Sequence, residues 1–329
     1  MLNKSVVLIF CVLLLSGCVS SNQANTDANG EDESRVQETP TEAQVSNPFT
    51  PWSTTFSSNE LTEAALKETD KFFGSVNPNN SFELTVDKSF PATELPWIQQ
   101  MLEYTNGALA NLQGDTMRVF VSGSAEWSKK TLRDKNLWLG NPRAKFPCSA
   151  DASNEVSCAE DNLILINFFN VQPNQDWYVS RRAIPAHEVF HIIQDSLSGL
   201  GVNVGPDNPR AIPAWLVEGS ANYYGYYVVD RMGFDKYTEH KTTNSWFNYQ
   251  NGDPVPLIKY NDFSLDPYII GQMATEYLVA SVGFEGLINI FKFSRTERTF
   301  VSAFQKATGI TTKEFYAKFE LARSSINSN

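Results

Sequence analysis

Apolar residues recur at helical spacing around Leu61, Ala65 and Phe72. They do so again through Trp97, Met101, Ala108, Leu109 and Leu112, where Pro96 suits a helix's first turn. Residues 117–122 instead alternate like a strand, and residues 82–86 are a candidate partner. Residues 163–169 form a short apolar run that predicts a buried strand. From residue 180 onward the spacing is helical, and no internal repeat interrupts it. The pattern predicts an α+β chain: a small mixed sheet with helices up to about residue 175, then a helical part from about residue 176.

One predicted helix carries more than packing information. On a wheel of about 100° per residue, Ala186, Val189, Phe190, Ile193 and Leu197 share one stripe of segment 180–197. His187 and His191 lie one turn apart on another face, with Glu188 and Asp195 beside them, and Pro185 reads as a mark of the first turn. Imidazoles at i and i+4 on a helix project side by side and can share one tetrahedral Zn²⁺, while the intervening Glu188 can deprotonate a bound water. The chain has 3 His in all, and two are used here. A third ligand is needed. Downstream, Pro213 suits a helix start and Gly233 its end, and Glu218 sits between them behind the apolar Trp215-Leu216-Val217.

The N-terminus reads as an address. Lys4 precedes an unbroken apolar run from Val6 to Leu15, too short for a bilayer span of about 20 residues and suited to a signal peptide. It ends in Leu15-Ser16-Gly17-Cys18, which resembles the bacterial lipobox. That resemblance implies a signal peptide of residues 1–17 and a lipidated Cys18. With Val19 rather than Asp following, it implies the outer membrane of the cell envelope. Residues 18–50 are rich in acids, Ser, Asn, Gln and Thr, and read as a disordered acidic tether leading to a body of residues 51–329. An oxidising compartment makes Cys148 and Cys158 an expected disulfide, with two free thiols or a metal-binding Cys pair as the alternatives, although no His or further Cys is nearby to complete a metal site. Charge closes off one class of partner. With 26 Lys+Arg against 37 Asp+Glu the net charge is −11, which argues against binding a nucleic-acid backbone.

His187-Glu-Val-Phe-His191 followed by Ala214-Trp-Leu-Val-Glu218-Gly-Ser-Ala-Asn-Tyr-Tyr224 resembles the gluzincin metallopeptidases of the peptidase MA-like group. The later Tyr268-Ile-Ile-Gly-Gln…Tyr277-Leu278 and Val282-Gly283-Phe284, and the closing stretch from Phe304 to Phe319, are similar to that family's final helices. In the closing stretch Thr311 and Glu314 are spaced as a capping box. The resemblance spans roughly residues 160–325 and implies a zincin-like fold. It also implies Zn²⁺ on His187, His191 and Glu218, and hydrolysis of a protein or peptide substrate by a metal-activated water with Glu188 as base. It points to Tyr268 as oxyanion donor, with Tyr223, Tyr224 and His240 as other candidates. Two departures stand out. Asn222 occupies a position where many members carry an acid bonded to a metal-binding His, with Asp195 as a candidate substitute. A Gly-, Pro- and Asn-rich loop over residues 198–213 separates the two motifs. Two other readings stay open: an envelope lipoprotein with a closed structural zinc site completed by a fourth ligand such as His240, and a zinc hydrolase of a non-protein amide.

Overall fold

The computed structural model describes residues 49–112, 114–135, 137, 157–160, 162–174, 179–200, 208–243 and 255–326. The expected signal peptide, Cys18, nearly all of the tether, and Cys148 lie outside the described residues.

The elements run α1 (Ser58–Phe73), β1 (Glu83–Val86), α2 (Leu95–Leu109), β2 (Arg118–Ser122), α3 (Ala125–Asp134), β3 (Cys158–Glu160), β4 (Leu163–Asn167), α4 (Val179–Ser198), α5 (Ala214–Arg231), α6 (Tyr237–Thr243), a short 3₁₀ turn (Leu257–Tyr260), α7 (Tyr268–Thr296), α8 (Phe300–Thr308) and α9 (Thr312–Ile326). Among the described residues the four strands form one mixed sheet in the order β1-β2-β4-β3. The first three are parallel, and β3 is antiparallel to β4. The predicted strands and their pairing are thus present, and the chain is α+β and mostly helical. Side chains alternate as a strand demands. Val119, Val121, Ile164 and Ile166 join the main core, while Phe120, Leu163 and Leu165 pack on Leu132 of α3 across the other face.

Local sequence explains most helix ends. Ser57 and Glu60 close a capping box on α1, with Ser57 N–H donating to Glu60 Oε2 at 2.8 Å. Thr311 and Glu314 do the same for α9, as their spacing predicts. Pro213 caps α5, and α2 ends at Leu109, short of Leu112. Pro185 departs from expectation: it sits inside α4, which starts at Val179, rather than in its first turn.

Two helices organise the body. α5 is buried along nearly its whole length, including Trp215, Tyr223, Tyr224 and Tyr227. A helix apolar on every side belongs in the interior. α7 is buried from Ile270 to Ala280 and bends at Gly283, whose φ of 76° a side-chain-bearing residue rarely adopts. The two helices touch backbone to backbone: a Cβ on Gly219 would overlap the Gly271 backbone, and one on Gly271 would overlap Trp215 C=O. This contact lays the first turn of α7, with Tyr268, beside Glu218. On the other side of α5, Gly225 admits α4 at Ala183. The site helices are therefore set by small residues at two crossings. The first described residues also join the body. Phe49 stacks edge-on against Phe56 and Tyr277, and Tyr277 O–H donates to Ser53 C=O at 2.9 Å.

Candidate metal centre

α4 and α5 bring three donors together. His187 Nε2 and His191 Nε2 are 2.9 Å apart, and Glu218 Oε2 is 3.4 Å from each. An ion held tetrahedrally at about 2.0–2.1 Å spaces its donors by about 3.3–3.4 Å. Two edges of the triangle match that spacing, and the imidazole–imidazole edge is shorter. His187, His191 and Glu218 are 8, 6 and 7% exposed, and Glu218 Oε2 makes no hydrogen bond. The donor set thus fits a metal ion. Among the described residues it is the one His, Cys, Asp or Glu group of this kind, and no fourth such donor completes it.

Glu188 stands outside the group. It is 4% exposed, and its Oε2 is buried without a hydrogen bond. Burial raises its pKa; His187 and His191 pull it back, and the Glu218 charge adds to the rise. A buried carboxyl beside a metal set, held above its ordinary range, is suited to accept and return a proton.

The helix wheel divided α4 into a packed side and a polar side. Both are covered in the structure. Ala186, Val189, Phe190 and Ile193 meet the core, and α5 and α7 cover the histidines. Asp195 lines a surface pocket together with Gly114, Asp115 and Asn162. Asn222 is half-buried. The imidazole partner is Gln194, whose Oε1 lies 2.8 Å from His191 Nδ1. Gln194 sits three residues beyond His191, next to it on the helical wheel, which is the signal that sequence reading passed over.

Of the oxyanion candidates, the structure brings Tyr268 to the site. Its ring centroid is 6.0 Å from that of His187, and its hydroxyl end approaches Glu218 although the residue is 40% exposed. The Glu218 charge, then burial and the Glu188 charge, raise its pKa well above the usual value, so the phenol keeps its proton and can donate. Tyr223, Tyr224 and His240 belong to the interior instead. Tyr223 O–H pairs with Thr69 at 2.7 Å, Tyr224 stacks on Phe190, and His240 stacks on Tyr226 at 3.4 Å. All three are buried, and the contacts named hold each of them away from the His187–His191–Glu218 group.

No family model matches this chain. No curated protein matches it in sequence, and no solved structure matches it in fold.

Two of the three candidate ligands, His191 and Glu218, carry a pH signature. Burial opposes charge on His191, but Glu218, then Glu188 and Gln194, outweigh it and raise its pKa to about 9. Glu218 is pushed upward by burial and held far below the carboxylate range by both imidazoles. A metal must displace the His191 proton, so its affinity should rise about tenfold per pH unit toward pH 9 and then level off. Without metal the sign reverses. The folded pKa lies above the unfolded 6.5, so the ion pair stabilises fully below pH 6.5 and is lost as pH rises through about 9. Chelator competition and thermal melting of the metal-free protein across pH 6–9 check both slopes; flat profiles would contradict them.

Proposed function

We propose that this protein is a zinc-dependent metallopeptidase of the bacterial cell envelope, anchored through a lipid on Cys18. The observation that carries the reading is the buried His187–His191–Glu218 donor set with Glu188 beside it and outside it. Two imidazoles and one carboxylate, with a position left over, are the ligand pattern of catalytic zinc; structural zinc takes four protein ligands. The gluzincin resemblance of the two motifs supports the same assignment.

Bound zinc supplies a Lewis acid and a water acidic enough to serve as nucleophile at neutral pH. The chain supplies the rest. His187 and His191 on α4 and Glu218 on α5 would hold the ion, the two helices meeting closely where Gly225 faces Ala183. Glu188 takes the proton from the attacking water and returns it to the leaving amine. Tyr268, a protonated phenol at the start of α7, donates to the oxyanion that develops on the scissile carbonyl. Burial of the ligands strengthens each of these charge interactions.

The test uses the full chain loaded with one equivalent of zinc and a peptide library diverse in sequence. Cleavage that a chelator abolishes and zinc restores is the expected result. A zinc-loaded protein that cleaves no peptide would overturn the reading, and cleavage of a peptidoglycan crosslink alone would move it to a non-protein amide. Mass spectrometry of the mature protein, expected to begin at an acylated Cys18, checks the anchor.

A further inference from the structure

Gln194 is 2% exposed and all of its polar atoms are engaged. Its Nε2 donates to Val217 C=O at 2.8 Å and to Ser220 Oγ at 2.9 Å, and its Oε1 meets His191 Nδ1 at 2.8 Å. Val217 and Ser220 flank Glu218 on α5. The amide has only one workable orientation. A backbone carbonyl accepts and never donates, so the group facing Val217 C=O must be the NH₂. The oxygen must then face His191, and His191 Nδ1 must carry a proton to satisfy it. Ser220 agrees, because its own hydroxyl donates to Leu216 C=O at 2.6 Å and is free to accept from Gln194.

We propose that Gln194 is the positioning residue of the metal centre. It fixes His191 with the proton on Nδ1 and so commits Nε2, the atom 3.4 Å from Glu218 Oε2, to the metal. The same amide ties that imidazole to the α5 turn carrying the third ligand. One neutral side chain therefore sets the spacing between ligands on two helices. A carboxylate at this place would make the imidazole a stronger donor; the amide gives alignment without added charge. This inference rests on metal binding by His187, His191 and Glu218, and is independent of whether the centre hydrolyses peptides.

The experiment has two arms, neither of which measures hydrolysis. The first is nitrogen NMR of the zinc-loaded full chain with labelled histidine. Only His187, His191 and His240 contribute. His191 should show a protonated Nδ1 and a metal-bound Nε2. A metal-bound Nδ1 would overturn the proposal without any variant. The second arm is chelator competition for zinc. Gln194→Met keeps the side-chain length and removes both donor and acceptor, and should weaken zinc binding by about 10–100-fold. Gln194→Glu keeps an acceptor for Nδ1–H and should recover most of that loss. Were Gln194 only a packing element, Met would be harmless and Glu, placed against Val217 C=O, the worse of the two. That order of affinities, or wild-type affinity in Gln194→Met, would overturn the proposal. Tight zinc binding with the expected His191 signature but no peptide cleavage would leave this inference standing while the peptidase reading fell.

Discussion

Glu188→Gln should lower peptide hydrolysis by about 10²–10⁴-fold, the usual effect of losing a general base, while zinc content stays at one per chain. Glutamine matches glutamate in size, and Glu188 is not among the three donors, so the ligand set survives. The substitution should also leave the metal-free protein at least as stable as the wild type. The sign follows from burial. Burial raises the Glu188 pKa in the folded state, so folding penalises its charged form, and a neutral amide relieves that penalty. Activity lost with stability kept or gained separates a catalytic group from a structural one. The check is kcat/KM on a cleaved library peptide beside melting curves of the metal-free proteins. A variant as fast as wild type would remove Glu188 from the mechanism.

Glu218→Ala should have the larger effect on the metal. Losing an indirect partner of a ligand weakens binding by about 10–100-fold, and losing a ligand should exceed that range. A second consequence is specific to this geometry. Glu218 is what overcomes burial at His191 and holds its pKa at about 9. Without it only Glu188 and Gln194 oppose burial, so the His191 pKa should fall and the loss of metal-free stability should move to lower pH. Zinc titration and pH-dependent melting of the same variant read both effects. Unchanged zinc affinity would mean that another residue holds the third position.

The sequence-to-structure relation differs between parts of the molecule. The HExxH helix and Glu218 were legible because the chemistry depends on local spacing: i and i+4 on one helix, and a carboxylate in an apolar helix that has to be buried. The strands were legible for a similar reason, since period-two alternation and an all-apolar run each have one packing solution. The partner of His191 was not, because several polar residues near it satisfy helix geometry. Asp195 and Gln194 are both close to His191 on the wheel, and the Val217 and Ser220 groups of α5 decide in favour of the amide. The tyrosines show the same limit. Tyr223 and Tyr224 follow Glu218 on α5 while Tyr268 opens the separate helix α7, and the approach of α7 to α5 at two glycines determines which one reaches the candidate site. Pro185 lies inside α4 because tertiary packing of Ala183, Ala186 and Phe190 extends the helix upstream of a residue that usually starts one.

X-ray absorption at the zinc edge, on protein carrying one zinc per chain, tests the central claim most directly. The account predicts four-coordinate zinc with two imidazole nitrogens, one carboxylate oxygen and one exchangeable water oxygen. A sulfur ligand, a third imidazole from His240, or a shell filled by four protein donors would contradict it.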